Sequence, residues 1–106
     1  MIRHCVFIRF KPGMSEHVRT EIWDEIAALK KRIPGYVAAH IGVNTSPETG
    51  MDKGYSQGFI IDFADTIARD AYLADEEHAK VGAKIVAAAE GGVDGVLVYD
   101  LEIADD

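Results

Sequence analysis

IRHCVFIRF, residues 2–10, is the stretch that decides the fold, because it predicts a strand that lacks a polar face. The segment is rich in the β-branched and aromatic residues that favour strands. Side chains of a strand alternate between its two faces. One face carries Ile2, His4, Val6, Ile8 and Phe10, and the other carries Arg3, Cys5, Phe7 and Arg9. If the first face turns to the helices, Cys5 and Phe7 remain on the second, so we expect both faces to be covered.

The strand predicted near the end of the chain also lacks a polar face. VLVYDLEI, residues 96–103, predicts a last strand, and residues 104–106 form a short acidic tail. Alternation places Leu97, Tyr99, Leu101 and Ile103 on one side of this strand and Val96 and Val98 on the other. Apolar residues on both sides are typical of a strand that is buried on both sides.

The elements between these strands predict a two-layer α+β domain. Ser15 is suited to cap a helix over residues 16–32, which Pro34 and Gly35 stop. Two strands are predicted over residues 36–43 and 55–63, and two helices over residues 66–74 and from Asp75 to Gly91. This order is typical of a ferredoxin-like four-stranded antiparallel sheet with its helices on one face. No linker or repeat interrupts residues 1–106, so we expect a single domain.

One copy of this fold leaves an apolar face open. The helices cover one face of the sheet, and the other face carries Cys5, Phe7 and Ile60 together with one side of the last strand. An exposed apolar patch usually marks an interface. Burying about 400 Å² of it would contribute about 10 kcal/mol before association costs. We therefore expect a homodimer through the sheet face, forming a dimeric α+β barrel. The alternative is that the C-terminal tail covers the face, but that tail is short and acidic.

Composition narrows the possible partners. The 106 residues carry a net charge of −7 with a pI near 4.9, and 48% of them are hydrophobic. An acidic protein repels phosphate backbones and anionic membranes, so we expect no nucleic acid and no membrane as partners. Cys5 is the single cysteine, so no disulfide forms within the chain. A strand directly after Met1, in place of a signal peptide, predicts a cytoplasmic protein.

Four polar side chains from four elements are predicted to point at one interior volume. His4 lies among apolar residues of the first strand, and Gln57 lies between Tyr55 and Phe59 on the third. Tyr72 and His78 lie on the inner sides of the two later helices. Buried polar groups need hydrogen-bond partners. The four groups therefore bond either to one another as ordinary core residues, or to water or a ligand.

Several short motifs resemble one family. These are HCVFIRFKPG at residues 4–13, IPG at 33–35, GY at 54–55, the F-x-D at 63–65 and AYLADEEH at 71–78. In their order and spacing they resemble the Dabb, or stress-responsive α/β-barrel, family over nearly the whole chain. The resemblance implies a homodimeric α+β barrel. Many members have no known activity, some are plant stress proteins, and one cyclises a polyketide by aldol condensation in a pocket between sheet and helices.

The resemblance also implies site residues. Tyr72, His78 and His4 fall on the tyrosine and two histidines of the cyclase site, and Gly82 and Ile22 fall on pocket-lining positions. Gln57 departs from the family, because the cyclase has a histidine there. Ile22, Ile26 and Val81 stand where the cyclase has aromatic residues, so the pocket shape should differ. Further lining is expected from Val6, Ile8, Trp23, Phe59, Val96 and Val98.

These residues suit proton transfer next to a carbonyl group. His78 would be the general base, Tyr72 would orient it or stabilise an oxyanion, and His4 and Gln57 would position a substrate oxygen. No cofactor is expected, and the four histidines lack the spacing of metal ligands. The alternatives are a non-catalytic stress-related binding or structural dimer and a cofactor-free monooxygenase-like barrel. A binder or enzyme requires an open cavity beside Tyr72 and His78, whereas a structural dimer requires packed, bonded histidines.

Overall fold

The computed structural model describes residues 1–104; the last two residues of the expected acidic tail, Asp105 and Asp106, lie outside the described part. Its strands are β1 Ile2–Ile8, β2 Tyr36–Val43, β3 Gln57–Phe63 and β4 Val96–Glu102, and its helices are α1 Glu16–Ala28, α2 Thr66–Ala74 and α3 Glu76–Ala88. The four strands form one sheet in the order β2-β3-β1-β4, with every neighbouring pair antiparallel. The ferredoxin-like fold class is confirmed.

Five element boundaries differ from the sequence-based prediction. Two are strand ends, because β1 ends at Ile8 instead of Phe10 and β4 ends at Glu102 instead of Ile103. The first helix ends at Ala28 and tightens into a 3-10 turn over Leu29–Lys31, because the residue before Pro34 cannot remain helical. The third helix ends at Ala88, well before Gly91, since the next residue is extended and pairs with Phe10 in an isolated bridge. The third strand begins at Gln57, two residues later than predicted.

The core fills the space between the helices and one face of the sheet. On that face the registers align buried residues of the two central strands, with His4 opposite Ile61 and Val6 opposite Phe59. From the helix side it receives the buried side chains of Ile22, Ile26, Leu29, Ile33, Val81 and Ile85. The inward stripe of the first helix and the inward face of β1 therefore agree with the alternation and spacing of the sequence.

The opposite face of the sheet, called the outer face below, has no helix over it. Leu97, Tyr99 and Leu101 point to this side in register with Phe7, Cys5 and Arg3, and they are 41%, 44% and 47% exposed. Such a row of large apolar side chains in water is costly.

We predict opposite effects from two glycines that are paired on the outer face. A Cβ on Gly58 would lie 2.4 Å from the Val6 carbonyl oxygen and 2.6 Å from the Phe7 ring, whereas a Cβ on Gly42 meets nothing within 4 Å. Gly58→Ala should lower the free energy of unfolding by about 1–3 kcal/mol. Gly42→Ala, the matched control, should leave that energy unchanged or raise it slightly. Urea denaturation measures both, and equal effects would contradict this packing.

Candidate functional site

Three polar rings lie together at one end of the core, and we call them the ring cluster: His4 on β1, Tyr72 on α2 and His78 on α3. The ring centroids of Tyr72 and His78 are 4.3 Å apart, and those of His4 and Tyr72 are 5.6 Å apart. Tyr72 is fully buried, His4 is buried and His78 is half-buried. The structure thus brings together three of the four polar groups expected at the site.

The junction between α2 and α3 positions two of these rings. Asp75 is extended and accepts hydrogen bonds from the backbone N–H groups of Glu77 and His78, which caps α3. Arg32 donates to both carboxylate oxygens of Asp75 at 3.1–3.2 Å and fixes the cap. The chain turns here between two helices, so Tyr72 near the end of one meets His78 at the start of the next.

A carboxylate that the sequence analysis overlooked fixes the His4 ring. His4 Nδ1 lies 2.6 Å from Oδ1 of Asp100, and Arg69 donates to the other oxygen at 2.9 Å. Since a carboxylate only accepts, Nδ1 carries the hydrogen that is shared with Asp100. Burial raises the pKa of Asp100, but hydrogen bonds from His4 and Arg69 outweigh it and leave that pKa below its usual value. The signal was Asp100 itself, which follows Val96 and Val98 on the helix-facing side of β4.

Two atoms of the ring cluster have no partner. Within residues 1–104, the hydroxyl oxygen of Tyr72 and Nδ1 of His78 are buried and make no hydrogen bond. Buried polar atoms are nearly always paired, and an unpaired one costs about 1–3 kcal/mol. The hydroxyl group can donate, and Nδ1 can accept when the hydrogen of the neutral ring is on Nε2. The pair is therefore complementary to a small group that accepts one hydrogen bond and donates another.

Burial keeps both of these groups neutral near pH 7. It raises the pKa of Tyr72 far above its usual value. Burial also lowers the pKa of His78, and the neighbouring His4 adds to this, while the Leu73 carbonyl acts in the opposite direction. His78 therefore presents a lone pair rather than a positive charge.

Other expected site residues lie elsewhere. Gln57 pairs with Ile8, four residues along β3 from Ile61, which pairs with His4. That spacing is about 13 Å, so the placement of Gln57 in the cluster was wrong. Alternation shows to which face of a strand a side chain points. It does not show which residue of the neighbouring strand lies opposite that side chain.

The expected lining residues divide between the two ends of the core. Trp23 packs against Phe59 at 6.1 Å and Phe10 at 5.8 Å, at the end of the core away from Tyr72. Val98 is 52% exposed, because β4 is an edge strand of the sheet. The remaining positions comprise buried Val6, Ile8, Ile22, Ile26 and Val81, half-buried Gly82 and, opposite Ile8, half-buried Val96.

The ring cluster is closed in this structure. Tyr72 is surrounded by the rings of Tyr36, Phe63, His4 and His78, with centroids 4.3–6.2 Å away. A cavity of about 560 Å³ lies beside the loop of residues 44–56, and its lining includes outer-face Gly42 and the expected site residues Gln57 and Phe59. A surface hollow lies beside Lys84, and neither space is lined by a residue of the ring cluster. The open pocket expected beside Tyr72 and His78 is therefore not formed by either of these spaces.

The outer face carries a second group of charges. Arg3 donates to both oxygens of Asp62, at 2.8 and 3.3 Å, and Nε2 of His40 lies 3.0 Å from the same carboxylate. The hydrogen bond from Arg3 lowers the pKa of Asp62, burial opposes it, and the contact with His40 adds to the lowering. His40 is on the outer face, as the alternation of β2 predicts.

Neither a metal cluster nor a membrane span occurs among residues 1–104. No three or more His, Cys, Asp or Glu side chains there are grouped to hold a metal ion. None of the helices in the described range has the length and apolar character needed to cross a membrane.

A four-stranded ferredoxin-like sheet with helices on one face and an apolar second face defines a class of small two-layer α+β domains. Residues 2–103 match the stress-responsive A/B barrel domain, Dabb, and the chain belongs to this family. The predicted family is confirmed. No protein with a curated description matches the sequence.

Solved structures agree with this assignment. A dimeric ferredoxin-like protein of unknown function from Jannaschia sp. CCS1 is similar at 29% identity and a TM-score of 0.88, over 96% of this chain and 98% of that one. An Arabidopsis thaliana protein is similar at 25% identity and 0.85, over 100% and 98%. A hydroxynitrile lyase from Passiflora edulis shares the fold at 17% identity and 0.82, over 99% and 94%.

The neutral state of buried His78 predicts a pH dependence of stability. The folded-state pKa of His78 is lowered, so the unfolded chain takes up the proton first as the pH falls below about 6.5. The contribution of neutral His78 to the stability of the fold is complete above that pH and is lost as the solution is acidified. The carboxylates whose pKa values are lowered lose their stabilising contribution only at lower pH, near pH 4.

The measurement is the free energy of unfolding between about pH 7.5 and about pH 5.5. We expect it to fall with pH in the unmodified protein and to fall less steeply in His78→Leu. His17→Leu is the matched control, because the His17 side chain is 88% exposed; it should keep the original slope. An unchanged slope in His78→Leu would show that His78 is not held neutral.

Proposed function

We propose that the ring cluster binds a small, largely apolar molecule between sheet and helices and transfers a proton next to its carbonyl group. The observation that carries this proposal is the buried, unpaired pair formed by the Tyr72 hydroxyl and His78 Nδ1. A donor and an acceptor on adjacent rings are the two groups that enolisation requires.

The proton transfer assigns one role to each group. Nδ1 of His78 takes a proton from the carbon beside the carbonyl; the electron pair of that C–H bond forms the C=C bond of the enolate, and the π pair of the C=O bond moves to the carbonyl oxygen. The Tyr72 hydroxyl donates a hydrogen bond to the oxyanion that develops. The resulting enolate carbon then attacks a second carbonyl or recovers the proton from His78.

His4 and its partners complete the site. Asp100 accepts a hydrogen bond from Nδ1–H of His4 and so fixes the orientation of the ring, which leaves Nε2 to position a substrate oxygen. Arg69 shares Asp100 and keeps it ionised. Asp100 is a positioning residue in this scheme, because it acts through His4.

The surroundings of the cluster favour a neutral, apolar substrate. The rings of Tyr36 and Phe63 lie 6.2 and 5.1 Å from the Tyr72 ring, between centroids. Because the ring cluster is closed, a ligand enters only when α2 and α3 separate. The half-buried His78 is the most exposed ring, which places that entry at the α2–α3 junction. The name of the Passiflora lyase indicates that small-molecule chemistry can be built on this fold, and the reaction proposed here rests on the residues of this chain.

The complete burial of Tyr72 favours a second candidate, a non-catalytic stress-related dimer. In that role the ring cluster is an ordinary part of the core, and the protein acts as a structural or binding dimer without catalysis. The His4–Asp100 bond suits this candidate equally well.

We also propose that two copies pair through the outer face. Its exposed apolar side chains support this, as does the dimeric description of the relative at 29% identity. At about 25 cal/mol per Å², covering a few hundred Å² of this face contributes several kcal/mol before association costs.

Enolisation is tested by hydrogen exchange of a panel of 1,3-diketones in deuterated water, followed by proton NMR. We expect the protein to accelerate exchange, and His78→Ala and Tyr72→Phe to lose about 100-fold or more of that acceleration. His17→Ala is the matched control and should keep it. Retained exchange in His78→Ala would remove His78 from the mechanism, and no acceleration by the unmodified protein would favour the second candidate.

The stability of Tyr72→Phe tests whether the buried hydroxyl group of Tyr72 lacks a hydrogen-bond partner, which is the observation that carries the proposal. Since the substitution removes an unpaired buried hydroxyl, the ligand-free variant should be as stable as the original or up to about 2 kcal/mol more stable. Urea denaturation measures this. A loss above about 1 kcal/mol would show that the hydroxyl group is bonded to protein in solution.

A further inference from the structure

We infer that the ion pair between Arg32 and Asp75 is a latch, which holds the α2–α3 junction closed over the ring cluster and opens when a ligand enters. This inference rests on the proposed function and adds to it the two residues that control access to the site. Both act through Tyr72 and His78 and are therefore positioning residues.

Asp75 is bonded to both residues that carry the unpaired polar atoms. Its backbone N–H donates to the carbonyl of Tyr72 at 3.2 Å, and its Oδ1 accepts from the backbone N–H of His78 at 3.3 Å. Asp75 is also the residue at which α2 ends and α3 begins. A displacement of Asp75 therefore changes the separation of the Tyr72 and His78 rings, whose centroids are 4.3 Å apart.

Arg32 ties this junction to the end of the first helix. Nε and Nη2 of Arg32 donate to the two oxygens of the Asp75 carboxylate. These hydrogen bonds lower the pKa of Asp75 although burial opposes them, so the carboxylate is ionised at neutral pH. The backbone N–H of Arg32 donates to the carbonyl of Leu29 at 3.0 Å, and Leu29 and Ile33 are buried. The arginine is therefore attached to a well-packed part of the core.

The Arg32–Asp75 pair is accessible to water, which allows it to open. The Arg32 side chain is 46% exposed and that of Asp75 is 14% exposed. An ion pair that water reaches stabilises a fold only slightly, because solvent competes for both charges. Such a pair holds a junction in place and still breaks and re-forms without unfolding of the domain.

The rest of α2 is anchored more firmly than its end at the junction. A Cβ on Gly35 would lie 2.7 Å from Cβ of Ala68, so the first turn of α2 packs directly on the turn before β2. Arg69 donates to Asp100 of β4 at 2.9 Å. At the other end of the helix, Leu73 is 48% exposed. Segments with few buried contacts open first, so separation of α2 from α3 begins at the junction that the latch holds.

A bound ligand and a closed latch exclude each other. Tyr72 is fully buried and is surrounded by four rings. A molecule beside its hydroxyl group therefore needs space that a movement of the junction supplies. When a ligand binds only the open form, its apparent affinity is reduced in proportion to the fraction of protein that is open. Weakening the latch raises that fraction and leaves the reacting groups of Tyr72 and His78 unchanged.

Amide hydrogen exchange followed by NMR tests the latch without any ligand. Arg32→Gln keeps a hydrogen-bond donor but removes the charge. We expect the amides of Asp75 and His78 to exchange about fivefold faster, which is the factor by which an accessible ion pair shifts a local equilibrium. Amides of β3 should keep their rates, because the domain as a whole stays folded. Unchanged rates at the junction, or equal acceleration in β3, would overturn the latch.

The matched control for this measurement is Lys80→Gln. It also removes one positive charge near the start of α3, and it breaks the exposed pair of Lys80 with Glu77, which lies within one helix. The exchange rates at Asp75 and His78 should stay as they are in the unmodified protein. Equal acceleration in both variants would show that net charge, and not the Arg32–Asp75 pair, governs the junction.

The kinetics of 1,3-diketone exchange test whether the latch admits the ligand. We expect Arg32→Gln to lower KM about fivefold at unchanged kcat, since the substitution changes the open fraction alone. Arg32→Lys keeps the charge and should lie between the two. A lower kcat at unchanged KM, or unchanged constants despite faster amide exchange, would contradict entry through the latch. If the unmodified protein does not accelerate diketone exchange, the proposed function fails, and the amide rates still decide whether Arg32 holds the junction.

Discussion

Shielding of only one face of an antiparallel sheet is the constraint on which the rest of this structure depends. A chain of 106 residues supplies helices for one layer. Its strands nevertheless carry apolar side chains on both faces, with Cys5 buried and Tyr99 half exposed on the uncovered one. The hydrophobic effect then acts between copies as well as within the chain. The central charges of Arg3 and Asp62 are already paired within one chain, which makes burial of that face feasible.

The helix-facing side of the same sheet buries polar atoms that lack hydrogen-bond partners. The core is well packed around Phe63 and Tyr36, yet Tyr72 and His78 keep polar atoms there without partners. A core selected for stability alone would have phenylalanine and leucine at these two places. These unpaired groups lie beside a fixed His4–Asp100 pair, and they are the reason for our proposal of a site that a ligand completes.

The sequence supported the fold better than the site, for a physical reason. Alternation in β1 correctly divided His4 from Cys5 between the faces, because a period of two leaves no freedom. It could not say how far along the strand Gln57 lies from His4, which is decided by register. Asp100 was overlooked because the apolar residues around it dominated the interpretation of β4. Closure around Tyr72 depends on the angle between α2 and α3, which the sequence does not encode in any local pattern.

The most direct test of the central claim is sedimentation equilibrium of the full chain over a wide range of concentrations. The account predicts a species of twice the chain mass, 2 × 11.6 kDa, that dissociates only on strong dilution. A folded species of single-chain mass at every concentration would contradict it, because the uncovered face would then be stable in water.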